Sequence, residues 1–169
     1  MTWTRASTAA GIVGLVLASV SGCGDDSDED VDTASVDSIQ YTVIGPSTPP
    51  QFHQEYVVEI TAEEATIRVG TYGTVDGSEE PAGTATVTVT DEVWADLVDG
   101  AGSLPSEAGD DGCTGGSTLT VEVERDDGST SSTEVYGCSE NSDDLADELE
   151  DLFEPVLSQF DLDELDPRD

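Results

Sequence analysis

EYVVEITAEEATIRVGTY, residues 55–72, decides the fold. Tyr56, Val58 and Ile60 occupy every second position, so an extended chain carries all three on one face. Ala62, Glu63 and Glu64 interrupt the pattern, and Ile67 and Val69 resume it within residues 65–72. Two period-two runs joined by so short a connection read as an antiparallel hairpin.

Upstream, Ile39, Tyr41 and Val43 alternate in the same way and suggest a first strand, broken by Gly45-Pro46-Ser47-Thr48-Pro49-Pro50. Downstream, TATVTVT (residues 84–90) sets Thr outward against Ala85, Val87 and Val89 inward. Thr90 is placed to cap a helix, with Asp91 and Glu92 in the first turn where the helix dipole favours acids. Val93, Trp94, Leu97 and Val98 share a helical face that Gly100 is expected to end. Leu119, Val121 and Val123 mark another strand, Asp126-Asp127-Gly128 a turn, and residues 131–138 its return. Ser142 is placed to cap a second helix whose apolar stripe includes Leu145, Leu149, Leu152, Phe153, Val156 and Phe160. Pro155 should kink or restart that helix. The expected fold is α+β: an antiparallel sheet of about five strands with two helices on one face, spanning residues 38–160, its C-terminal hairpin linked by a disulfide. Residues 161–169 read as an acidic tail with too few apolar residues to predict order.

Composition narrows the function. Of 169 residues, 39 are Asp or Glu and only 4 are Arg, with no Lys, for a formal charge of −35. A surface almost without cations repels phosphates, which excludes nucleic acid as a direct partner and electrostatic docking on anionic lipid. The N-terminus is different. Arg5 is the only charge before Asp25, and AAGIVGLVLASV (residues 9–20) is too short to span a bilayer but fits the apolar region of a secretory signal. Val20-Ser21-Gly22-Cys23 then resembles the lipobox of bacterial lipoproteins, with Val20 where Leu is commoner. The resemblance covers about the first 25 residues and implies removal of residues 1–22, with a diacylglyceryl group on Cys23. It places the protein outside the cytoplasm, anchored to a membrane of the cell envelope, since more than one acyl chain gives stable anchoring. Residues 24–37 hold seven acids and read as an extended acidic tether. Asp26, Asp28 and Asp30 have EF-hand spacing, but Val31 stands where the loop needs Gly and Asp37 where it needs Glu.

With Cys23 lipidated, Cys113 and Cys138 remain. An even pair in an exported chain reads as a disulfide, and closing a loop of about 26 residues is worth roughly 3–4 kcal/mol. Neither thiol lies in a C-x-x-C motif or beside a cation, so redox chemistry is disfavoured. His53 has no adjacent carboxylate in sequence and reads as a surface or packing residue. No nucleophile–base motif, phosphate loop or dinucleotide fingerprint is present. The acids read as solvated surface charge. A weak Ca²⁺ site from Asp110, Asp111 and Glu140 at the disulfide end of the hairpin is the alternative, since hard oxygen ligands suit that ion. The expectation by elimination is a non-catalytic binding or interaction module. Its unknown protein or small-molecule ligand would be cationic if electrostatics matter. The second reading is an acidic surface lipoprotein that binds Ca²⁺ or basic envelope proteins, and the third is a small hydrolase.

Overall fold

The computed structural model describes residues 36–105, 115–137 and 143–166. Cys23, Asp110, Asp111, Cys113, Cys138, Glu140 and Ser142 lie outside them. Six strands form one antiparallel sheet: β1 (Val36–Ile44), β2 (Glu55–Ile60), β3 (Glu64–Gly70), β4 (Gly83–Thr88), β5 (Ser117–Arg125) and β6 (Thr130–Gly137), in the order β4-β3-β2-β1-β5-β6. The sheet therefore has six strands rather than about five. The run around Ile39 is its centre, paired with β2 on one side and β5 on the other. That strand begins at Val36, so the last two residues of the expected tether belong to it. No disulfide is present among the described residues.

The register explains the core. Ala85, Ile67, Val58, Tyr41, Val121 and Thr133 form one unbroken cross-strand row through all six strands. Every second residue thus points to one side, where two helices cover the apolar face. Helix α1 (Asp91–Ser103) contributes buried Leu97, Val98 and Ala101. Helix α2 (Asp143–Leu157) contributes Ala146, Leu149, Phe153 and Val156. Phe153 stacks on Tyr41 with ring centroids 4.2 Å apart and planes 7° from parallel. Trp94 is half-buried and packs against the edge of this core. Thr90 caps α1, its Oγ1 accepting the Val93 N–H at 3.4 Å.

One sequence expectation fails for an identifiable reason, and one segment whose order the sequence left open is structured. Gly100 does not end α1, which continues to Ser103. A Cβ at Gly100 would lie 2.4 Å from Leu152 Cδ1, so the glycine permits close approach of α2 instead of a stop. The start of the acidic tail, residues 161–166, is ordered. Asp161 caps a short helix, α3 (Leu162–Leu165), by accepting the Glu164 N–H at 3.1 Å. A Cβ at Gly83 would lie 2.2 Å from the Leu165 carbonyl oxygen, so α3 sits against the start of β4. Pro155 lies in the last turn of α2, which runs on to Leu157.

The connections are unequal. At the end of the sheet where the chain enters β1, residues 61–63, 89–90 and 126–129 make short turns. Gly128 there takes φ +78°, which the tight return requires. The opposite end carries the long connections 45–54 and 71–82, and β5 begins and β6 ends there, Ser117 facing Gly137.

Candidate functional site

The face of the sheet away from the helices is polar. Gln40 stands between Glu59 and Glu122 in register, and its Nε2 donates to Glu122 Oε2 at 3.1 Å. Arg68 Nη2 reaches Glu59 Oε1 at 2.9 Å, and Thr66 and Thr86 share a hydroxyl hydrogen bond of 2.9 Å. These are solvated contacts of small energetic weight. Near the long connections the same face is covered: Val57 is buried on it, and so is Glu55.

The sequence of the 45–54 connection produces this cover. Gly45 donates its N–H to the Gln54 carbonyl at 2.8 Å, and a Cβ there would lie 2.6 Å from that oxygen, so glycine closes the loop's neck. Pro50 opens a single 3₁₀ turn (Pro50–Phe52). The chain then delivers His53, only 1% exposed, over the first residue of β2. His53 Nε2 lies 2.9 Å from Glu55 Oε1, and Nδ1 lies 2.9 Å from the Pro46 carbonyl oxygen. Glu55 Oε2 accepts the Val75 N–H of the second connection at 3.3 Å. Tyr72 stacks on the His53 ring, centroids 3.6 Å apart and planes 1° from parallel, and donates its hydroxyl to the Thr48 carbonyl at 2.7 Å. Thr74, also buried, folds the second connection down onto Gly70, where a Cβ would lie 2.4 Å from its Oγ1.

This corrects the reading of His53. It is a packing residue, but it has a carboxylate partner two positions on, which a search for an adjacent acid passes over. The strand start at Glu55 and the turn before it were the signal that could have found the pair. The chemistry is constrained by donor counting. A carbonyl oxygen only accepts, so Nδ1 carries a proton, and a second proton lies between Nε2 and Glu55. Both ring nitrogens are engaged by the protein itself. The pair ties together two connections and β2; it presents no open nitrogen to a substrate.

On the helix side, Tyr41 and Tyr56 meet edge to face, centroids 6.2 Å apart, within reach of the Glu150 charge on α2. Burial, with the Tyr56 and Glu150 interactions adding to it, pushes the Tyr41 hydroxyl far above the usual phenol range. Burial, then Glu150, pushes Tyr56 up to about 12. Both are neutral at physiological pH and serve the core. Asp76, in the second connection, is held below the usual carboxylate range by the Ser78 hydroxyl and then by the Ser78 N–H.

Among the described residues no group of three or more His, Cys, Asp or Glu could hold a metal ion, and no helix is long and apolar enough to cross a membrane. Phe52, 66% exposed, and Tyr72, 41% exposed, are the large apolar side chains that face solvent there. No protein-family model, no curated protein and no solved structure matches the chain.

Proposed function

We propose that this is a lipid-anchored extracytoplasmic protein of the cell envelope whose domain is a non-catalytic binding or interaction module. The anchor rests on Val20-Ser21-Gly22-Cys23 behind an apolar run and ahead of an acidic tract. The observation that carries the binding reading is polarity along the strands. The chain enters at Val36, and the long connections with the exposed Phe52 and Tyr72 lie at the other end of the sheet. An anchor N-terminal to Val36 would feed the sheet from the end opposite these connections, and loops at the end of a rigid sheet are common places for binding. The occupied ring nitrogens of His53, the chain's sole histidine, support a non-catalytic role. Cys113 and Cys138 are proposed to be bonded to each other. Ser117 faces Gly137 across β5 and β6, Cys138 follows Gly137 directly in sequence, and Cys113 precedes Ser117 by four residues. Peptide mapping without reduction would find the linked fragment, and two alkylatable thiols in the native protein would exclude it.

The test of the anchor is Cys23→Ser, which should move the protein from the membrane to the soluble fraction. A variant that still partitions into detergent has another anchor. The second reading, an acidic surface lipoprotein that binds Ca²⁺ or basic partners, is favoured by the charge alone: Arg68 and Arg125 are the only cationic side chains of lysine or arginine among the described residues.

A further inference from the structure

We infer that Phe52 and Tyr72 form the anchor of a docking surface for a protein whose apolar pocket is rimmed by Lys or Arg; the inference rests on the binding-module reading above. Three independent features converge on this spot. The first is exposure against composition. In a chain with 39 acids, residues 38–54 contain none, and no Lys or Arg. Phe52 projects from that neutral stretch beside exposed Pro49 and Pro50. Large exposed apolar side chains are few on so charged a surface, and aromatic side chains lead the residues that dominate protein interfaces.

The second feature is rigidity. The Phe52 N–H is bonded to the Pro49 carbonyl at 2.8 Å inside a turn whose first residue is proline. The next residue is fixed by two side-chain hydrogen bonds, and Tyr72 is fixed by its stack and its bond to Thr48. The buried His53–Glu55 pair thus acts as the foundation of the aromatic surface. Little backbone freedom remains to be lost on binding there, which favours affinity for a given contact area.

The third feature is the rim. Asp76, Glu79 and Glu80 are exposed on the connection that carries Tyr72. Glu79 donates its backbone N–H to the Gly73 carbonyl at 3.1 Å, one residue from Tyr72, so that acid is held close to the Tyr72 ring. Asp76 stays ionised because Ser78 stabilises its carboxylate. An apolar centre with an acidic border is complementary to an apolar pocket with a basic border. Such a border raises the association rate and makes it fall with salt. A lipid surface would use the rings but would gain nothing from the acids, and an anionic lipid would be repelled.

The test uses the full-length protein in its own cells, with the photoreactive amino acid p-benzoylphenylalanine placed at position 52, where it preserves an aromatic ring. In separate strains it is placed at positions 86, 122 and 148 on the open sheet face and on α2. Irradiation should give a discrete protein adduct from position 52 that is lost in Asp76→Asn/Glu79→Gln/Glu80→Gln and in 1 M NaCl. The purified partner should then bind Phe52→Ala at least tenfold more weakly than the native protein. An adduct that survives neutralisation of the acids, or a glycan or lipid adduct, overturns the basic-rimmed protein partner. Adducts only from positions 86, 122 or 148 overturn this surface and leave the binding-module reading standing. No adduct from any position overturns both.

Discussion

His53 and Glu55 show how one pair of residues can fix a surface that neither of them reaches. Both are buried, and both ring nitrogens and both carboxylate oxygens have partners. Removing one member leaves the other without that partner away from water, which costs about 1–3 kcal/mol for a buried polar group. His53→Ala should therefore lower the unfolding free energy by roughly that amount, measured by urea denaturation. Glu55→Ala added to it should cost far less than the sum of the two single changes, because the second removal relieves the first. Strictly additive losses would mean that the two side chains contribute separately and are not a unit. Phe52→Ala, by contrast, removes a ring already in solvent and should change stability by less than about 0.5 kcal/mol. The sequence held the identities of these residues but not their meeting. Period-two reading assigns faces within strands, and the pair depends on where a proline-rich loop turns back over a strand's first residue.

Between elements, the joint of β1 and β2 with α2 has a pH signature. Tyr41 and Tyr56 both lie above their ordinary phenol value of 10.0, so the folded state favours their neutral forms. A group raised on folding contributes its full stability below the unfolded value and loses it as pH climbs through the folded one. The domain should hold its melting temperature up to about pH 10 and lose stability between 10 and about 12, the range set by Tyr56. Tyr56 alone accounts for about 2–3 kcal/mol of that loss, at 1.36 kcal/mol per unit. Glu150→Gln removes a charge that raises both hydroxyls, so it should lower their folded values, making the loss smaller and ending it at lower pH, followed by melting curves and by phenolate absorbance. A stability curve that already falls below about pH 10, where the phenols of neither state ionise, would assign alkaline unfolding to other groups. At this scale the sequence was legible where periodicity rules. The β2–β3 and β5–β6 hairpins, the Thr90 cap and the α2 stripe all follow from spacing. It misled where a residue type has two uses. Gly100 has the composition of a helix stop and serves as a contact point for Leu152. Leu162 and Leu165 sit in an acidic segment too poor in apolar residues to predict order, and they gain it by resting against β4.

The whole molecule must also contend with its charge. Arg68 is paired with Glu59 and Arg125 reaches Ser131, while acids occupy the open sheet face, the outer faces of both long helices and the turns. Gln40 between Glu59 and Glu122 separates two of them, but no array of cations offsets the rest. With residues 1–22 removed, Arg5 is lost and the balance becomes one unit more negative than −35. Mutual repulsion favours expansion of the chain and is a long-range, screenable term. The Debye length falls from about 10 Å at 0.1 M salt to about 3 Å at 1 M. A domain beginning at residue 23 should therefore melt at steadily higher temperature as NaCl rises at fixed pH, each kcal/mol of relieved repulsion adding roughly 3–6 °C at this size. The Arg68–Glu59 pair weakens under the same screening, but an exposed pair is worth at most about 1 kcal/mol and cannot reverse the trend. Millimolar Ca²⁺ separates the two readings of the acids. Solvated charges respond to ionic strength alone, so Ca²⁺ would match a sodium salt of equal ionic strength. A specific site adds stabilisation by mass action, growing with the logarithm of concentration above its dissociation constant. A flat or falling melting curve across the NaCl series would show that like-charge repulsion does not limit this fold. The acidic surface would then have to be explained by its partner and not by the salt around it.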